Sequence, residues 1–294
     1  MKVGIYGQYY KGEAISYIEI LLKTLAQKEI EVVIEKDFYN LIKINNFPKK
    51  EYQTFNDYND LDNSFEVMLT VGGDGTFLRA VTFVRDLNIP ILGINIGRLG
   101  FLATVQKENI TEAINLFLSK KYKIDERSLL TVSTSQENSD LSDINFALNE
   151  ISISRRNSTS MITVQTFLDD EYLTSYWADG LIVSTPTGST GYSLSCGGPV
   201  ITPSTKSLVL TPIAPHNLNA RPLVIPDETS IKLKIIAREK QALLSLDSRT
   251  TTVDNKSEIF IKKAPFSLKT IQLSQQTFLK TLREKLLWGE DKRN

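Results

Sequence analysis

Residues 67–71 form an apolar run that leads without a break into Gly72-Gly73-Asp74-Gly75-Thr76, and Phe77, Val81 and Val84 follow at helical spacing. Three glycines in four positions remove Cβ atoms where a backbone must turn sharply or approach a ligand closely. The segment therefore predicts a strand joined to a helix by a tight turn. Units of this kind in series build a parallel sheet. The positive end of the helix that follows suits a phosphate. Asp74 sits badly in a plain phosphate cradle, because its carboxylate repels the ligand. It has a use if it takes a proton from an attacking hydroxyl or holds a metal ion. The alternative is structural, a tight turn with Asp74 as helix N-cap. The spacing matches neither Walker A nor Gly-x-Gly-x-x-Gly, since Leu78 occupies the position of the last glycine.

Strand and helix patterns alternate on both sides of this turn. Residues 3–6, 32–34 and 91–94 are short apolar runs, while Ile15, Ile18, Leu22 and Leu25 recur on one helical face and residues 110–118 give another helix. Residues 45–64 are polar, contain Pro48 and read as a loop. These features predict an α/β nucleotide-binding domain over residues 1–124 with a parallel sheet. The character changes beyond it. Ile151 and Ile153, Ile162 and Val164, then Ile231, Leu233 and Ile235 alternate with polar or charged neighbours, and Ile259 and Ile261 close the series. Residues 125–273 are therefore expected to form an antiparallel β domain. Phe278, Leu282 and Leu286 then lie four apart, so residues 274–290 are read as a final helix returning to the first domain. Two domains agree with 294 residues at roughly 150 per domain.

Composition removes several function classes. Lys plus Arg and Asp plus Glu both number 34, a formal net charge of zero, so the footprint of a general nucleic-acid binder is missing. No apolar run approaches the ~20 residues of a membrane span. The first residues read as a strand rather than a secretory signal, and a cytoplasmic protein is the expectation. One cysteine and one histidine exclude an intrachain disulfide, a Cys-based cluster and a multi-His site. Any metal is then held by oxygen, which suits Mg²⁺ or Mn²⁺. Cys196 reads as a small hydrophobe rather than a nucleophile, and His216 as structural.

Three further segments stand out: residues 93–102, Asn149-Glu150, and residues 179–193 with their continuation to Gly197-Gly198-Pro199. The last is dense in Gly, Ser, Thr and Pro, with a short apolar run, Leu181-Ile182-Val183, that Pro186 and Gly188 interrupt. Hydroxyls and free amides at this density suit a base edge and a sugar. In this order, together with the Gly-Gly-Asp-Gly-Thr turn, the segments resemble the NAD kinase family. The lipid kinases resemble it in the first segment and lack the last.

The resemblance implies transfer of the ATP γ-phosphoryl to the 2′-hydroxyl of the adenosine ribose of NAD, giving NADP. By the same resemblance Asp74 is the proton acceptor, Gly75 lets the dinucleotide approach, and Arg79 pairs with a phosphate unless it is an ordinary solvated arginine. Asn149 and Glu150 would hold ribose hydroxyls and adenine. Neighbours in a strand point to opposite faces, so the pair reaches one ligand only near a strand end or bulge; otherwise it is a polar pair on an edge. Asp179, Thr187, Thr190, Gly191, Tyr192, Ser193, Leu194 and Ser195 would line the dinucleotide site, with Tyr192 alternatively an aromatic core plug. The family is also expected to form homo-oligomers, dimers or tetramers. Three positions depart from its usual pattern: Gly191, where many members have alanine, and Trp177 and Arg249 on the nicotinamide side. The last two leave NAD against NADH open. Two other readings remain: a lipid or other small-molecule kinase sharing the turn, and a non-catalytic NADP-binding sensor.

Overall fold

The computed structural model describes residues 1–8, 14–44, 48, 50–136, 138–156, 161–274 and 276–287. The chain divides into two compact units, Met1–Glu126 with Leu268–Asn294, and Arg127–Ser267.

The first unit is built on a parallel sheet. Its elements in chain order are β1 (Lys2–Gly7), α1 (Ala14–Gln27), β2 (Glu31–Glu35), α2 (Lys36–Lys43), β3 (Gln53–Phe55), β4 (Phe65–Val71), α3 (Asp74–Val84), β5 (Ile91–Asn95), β6 (Val105–Gln106) and α4 (Ile110–Leu118). The strands lie in the order β3-β2-β1-β4-β5, every neighbouring pair parallel, with β6 also parallel to β5. Both faces are covered, so the central strands are apolar throughout: Val67, Met68 and Leu69 are fully buried. Ile18, Leu21, Leu22 and Leu25 of α1 and Ile110, Ala113, Ile114 and Phe117 of α4 join this core.

The polar stretch 45–64, expected as a loop, holds β3 and a 3₁₀ turn at Tyr58–Asp60; residues 45–47 and 49 lie outside the described residues. Phe55 explains the difference. Its ring is buried and packs edge-on against Phe83 with centroids 5.6 Å apart, so one aromatic anchors a three-residue edge strand that has too few residues to show alternation. Helix α2 also left little trace in the sequence. Glu35 caps it by accepting the N–H groups of Asp37 and Phe38.

The second unit is all-β. Strands β7 (Tyr122–Thr134), β8 (Phe146–Ala147), β9 (Glu150–Arg155), β10 (Ile162–Leu168), β11 (Glu171–Ala178) and β12 (Gly180–Ser184) precede the one-turn helix α5 (Tyr192–Ser195). Strands β13 (Ser207–Ile213), β14 (Leu223–Pro226), β15 (Ile231–Ile236), β16 (Gln241–Leu246), β17 (Arg249–Asp254) and β18 (Glu258–Leu273) follow. One antiparallel sheet runs β14-β13-β12-β9-β16-β17, and a second contains β11-β10-β15-β18. Ile151, Ile153, Leu181, Val183, Leu208 and Leu210 of the first share one core with Val164, Ile231, Leu233, Ile259 and Ile261 of the second. The period-2 patterns thus mark the inward faces.

Strand β18 enters the first unit at Leu268, where Thr270 pairs in parallel with Ile91 of β5. The chain then forms α6 (Phe278–Leu286), with Thr277 as N-cap. The helix expected over 274–290 is shorter than that, and residues 275 and 288–290 lie outside the described residues. No helix among the described residues is long and apolar enough to cross a membrane.

Phe77 is buried to 1% exposure in α3, and it seats the first turn of that helix on the sheet. Phe77→Ala is expected to lower the unfolding free energy by about 3–5 kcal/mol, read as a shifted denaturant midpoint at constant m-value.

Candidate active site

Asp74 is the first residue of α3, and the N-cap is Gly73, without a side-chain cap. The Asp74 carboxylate caps a different segment. Its Oδ2 accepts the N–H of Phe101 at 2.8 Å, and its Oδ1 accepts those of Leu102 and Ala103, both at 3.0 Å. A carboxylate oxygen has two acceptor positions, so Oδ1 is filled and Oδ2 keeps one position for a further donor. The fit is close at Gly100, where a Cβ would fall 1.9 Å from Asp74 Oδ1. Any side chain there displaces either the loop or the carboxylate.

The loop is held from beneath by Asn95, which is 2% exposed. Its Nδ2 donates to the carbonyls of Arg98 at 2.7 Å and Ala103 at 3.3 Å, and its Oδ1 accepts the Gly97 N–H at 2.8 Å. By contrast, Cβ atoms at Gly73 and Gly75 would meet no protein atom within 4 Å. Packing within the chain does not require glycine at these two positions. Arg79, one turn along α3, is exposed and hydrogen-bonds the Tyr6 hydroxyl, so it is not a bare surface cation.

In the second unit Glu150 opens β9 and Asn149 immediately precedes it, which is the strand-end position that lets neighbours serve one ligand. The backbone here is fixed by Asp247, in the two-residue turn between β16 and β17 with φ 51°. Its carboxylate accepts three consecutive N–H groups: Leu148 at 2.9 Å, Asn149 at 2.7 Å and Glu150 at 3.3 Å. On the other side the 188–190 turn packs on Asn149 so closely that a Cβ at Gly188 would fall 2.1 Å from the Asn149 carbonyl oxygen. Thr185 donates to the Leu148 carbonyl at 2.6 Å. Asn149 Oδ1 and Glu150 Oε2 are buried with no hydrogen-bond partner, a costly state that a ligand donor relieves. Gly191 lies beside them, its Cβ position 3.1 Å from Glu150 Oε2.

Burial first, and then the Asp247 carboxylate, push the Glu150 carboxyl up to about 8, against one hydrogen bond from the Tyr192 N–H. Burial also raises Asp247, opposed by its three amide donors and Arg249. The geometry decides which carboxyl holds the proton at neutral pH. Asp247 is surrounded by donors, as a carboxylate requires, while Glu150 Oε2 has no donor at all.

The remaining sequence-predicted residues are distributed over the second unit. Thr187 and Ser193 are buried, and Ser193 Oγ lies 2.8 Å from Thr211 Oγ1, so it faces inward. Thr190 Oγ1 donates to the Thr187 carbonyl at 3.2 Å. Tyr192, 45% exposed, is no core plug. Burial, Cys196, Asp179 and Glu150 all raise its hydroxyl, which stays a donor at neutral pH. Leu194 is half-buried and Ser195 exposed on the same short helix. Asp179 pairs with Arg155 at 3.0 Å. Trp177 is half-exposed and packs on His216, ring centroids 4.3 Å apart. Arg249 donates to the carbonyls of Ile144 and Phe146 and lies over the Phe146 ring. Cys196 is half-buried and its thiol raised by burial, as suits an unreactive side chain. Asn95 and Gly100 fall within the segment 93–102, but neither they nor Asp247 carry a role that the sequence alone assigns. The Asp247 clamp acts on a segment 97 to 99 residues away, which local spacing does not signal.

The folded protein keeps a proton on Glu150 up to about pH 8, whereas the unfolded chain releases it in the ordinary carboxylate range. The native state therefore binds the extra proton between those limits, and stability falls as pH rises through that window. Glu150→Gln should remove this slope, gaining on the parent protein from pH 5 to pH 8 by on the order of a few kcal/mol. Denaturant unfolding across pH 5–9 reads it; a difference that stays flat contradicts the protonated Glu150.

Comparison with known proteins agrees with both units. The profile of the ATP-NAD kinase N-terminal domain matches residues 3–122, and that of the ATP-NAD kinase C-terminal domain matches residues 148–273. NAD kinases of Christiangramia forsetii and Flavobacterium psychrophilum are 59% and 57% identical to this chain over 294 residues, covering 100% of each chain. The crystal structure of yeast NADH kinase complexed with NADH superposes with a TM-score of 0.87 at 26% identity, covering 99% of this chain and 89% of that one. An NAD kinase from Archaeoglobus fulgidus in complex with ATP gives a TM-score of 0.74 at 28% identity, covering 98% and 99%. With both domain profiles matched in order and full-length relatives above half identity, the chain belongs to the NAD kinase family.

Proposed function

We propose that this NAD kinase moves the γ-phosphoryl of ATP to the adenosine-ribose 2′-hydroxyl of NAD with Asp74 as proton acceptor. The observation that carries the role is the single open acceptor position on Oδ2, beside a filled Oδ1. A neutral ribose hydroxyl is a poor nucleophile at pH 7, and a fixed carboxylate within hydrogen-bond reach takes its proton as the bond to the γ-phosphorus forms and the bond to the departing ADP breaks. The three amides hold the carboxylate in one orientation before substrate arrives, so alignment is not spent on arrest of a rotor. Gly73 and Gly75, with open space where a Cβ would be, favour close approach of the dinucleotide backbone at the positive end of α3. Arg79 is assigned to a phosphate.

Asn149 and Glu150 are assigned to the ribose diol and adenine. A protonated Glu150 donates, Asn149 Oδ1 accepts, and their lack of partners in the protein supports the assignment. The residues Asp179, Thr187, Thr190, Gly191, Tyr192, Ser193, Leu194 and Ser195 line the dinucleotide, with Trp177 and Arg249 towards the nicotinamide. Arg249 acts there through the backbone carbonyls it holds, and Ser193 through its inward hydroxyl contact with Thr211. The described residues include no group of three or more acidic, His or Cys side chains fit to hold a metal ion. A Mg²⁺ or Mn²⁺ carried in by the triphosphate would be held mainly by phosphate and water oxygens. Bound there, the ion would neutralise charge on the transferring phosphoryl. The enzyme is further proposed to act in the cytoplasm as a homo-oligomer, dimer or tetramer. The exposed Leu218, Leu223 and Val224 favour a covered apolar surface.

Asp74→Asn should lower kcat by about 10²–10⁴-fold while NAD binding changes far less, measured by coupling NADP to a specific dehydrogenase and by titration of NAD. Equal losses in turnover and binding would contradict the role. Gly100→Ala is expected to lose kcat by at least about tenfold, through the displaced carboxylate, without loss of the folded state by circular dichroism.

A further inference from the structure

We propose that the C-terminal helix α6 positions the Asp74 carboxylate, acting through Lys285 and Phe278 on the 97–103 loop. The proposal rests on the reading of Asp74 as proton acceptor, and every residue in it belongs to the first unit.

The loop lies between β5 and β6 and contains no regular structure. Its inner side is tied by Asn95. Its outer side meets α6 at two points. The Lys285 ammonium donates to the Leu99 carbonyl, and the Phe278 ring packs on the Phe101 ring with centroids 6.2 Å apart and planes tilted by 40°. These contacts flank Gly100. On one side is the carbonyl of Leu99; on the other is Phe101, whose N–H is the donor to Asp74 Oδ2. The oxygen with the open acceptor position is therefore oriented by an amide held between two contacts from α6.

The helix is itself well anchored. Thr277 accepts the Lys280 N–H at 3.2 Å, and Thr281 and Leu282 are buried. Each loop contact taken alone is weak, because Lys285 is exposed and both rings are only half-buried. Acting on neighbouring residues of one short loop, they limit the same motion, a swing of the 100–103 backbone away from α3. Without that restraint the three amides share their hydrogen bonds with water, and the carboxylate turns about its side-chain torsions. A small displacement of this kind is what turnover feels and ground-state binding does not.

The test compares Lys285→Met, Lys285→Arg and Phe278→Leu in the full-length enzyme. Met and Arg have nearly equal helix propensity, so they separate the donor from the helix. Lys285→Met and Phe278→Leu should each lower kcat about three- to tenfold with KM for NAD and ATP changed by less than about twofold, and Lys285→Arg should keep most of the turnover. Hydrogen exchange supplies a direct readout: the amides of Phe101, Leu102 and Ala103 should exchange faster in Lys285→Met than in the parent or Lys285→Arg. Parent-like kcat in Lys285→Met, or a fall in kcat with those amides still protected, overturns the proposal. Asp74→Asn run alongside separates the two levels. Full turnover in Asp74→Asn removes the proton-acceptor reading, whereas an inactive Asp74→Asn beside a fully active Lys285→Met removes only the positioning role of α6.

Discussion

One carboxylate receiving three consecutive backbone N–H groups is the interaction on which the first unit's chemistry depends. Asp74 joins the start of α3 to the loop that follows β5, so two crossings of a parallel sheet meet at a single side chain. Charge-assisted hydrogen bonds of this type are stronger than neutral ones, and they leave the group few orientations. The same bonds fill all but one acceptor position, which concentrates any further chemistry on Oδ2. Gly100 is the sequence requirement behind this arrangement, since no other residue leaves room for Oδ1.

The second unit uses the same device for a different end. Asp247 also accepts three consecutive amides, but the segment it fixes carries the functional side chains rather than the clamp. With the backbone of 148–150 held, Asn149 Oδ1 and Glu150 Oε2 stay buried without partners. Two acids so close in a buried setting cannot both be charged at low cost, and the donors around Asp247 leave the proton to Glu150. The result is a neutral donor and an amide acceptor side by side, a pair suited to sugar hydroxyls and a base edge. Its strain is offset when a ligand supplies the missing partners.

Much of this architecture was legible because it rests on local rules. The period-2 runs of β9, β10 and β15 and the helical spacing in α1 correspond to buried faces, Leu282 of α6 is buried, and Gly72-Gly73-Asp74-Gly75-Thr76 stands between a strand and a helix. What escaped depended on distant partners. A single buried aromatic, Phe55, makes β3 out of a polar stretch. The structural alternative for Asp74, a helix cap, is not what forms: its donors come from 27 to 29 residues away. Asp247 stands 97 to 99 residues from the amides it clamps. Nothing in spacing encodes such pairings; only the fold brings them together.

The central claim is that Asp74 Oδ2 offers its one open acceptor position to the oxygen that receives phosphate. A crystal structure of the enzyme with NAD bound tests it most directly. The account predicts the ribose 2′-oxygen within about 2.6–3.2 Å of Oδ2, with the Phe101, Leu102 and Ala103 amides still on the same carboxylate. A 2′-oxygen directed elsewhere, or a carboxylate that has abandoned those amides to reach it, would contradict the claim.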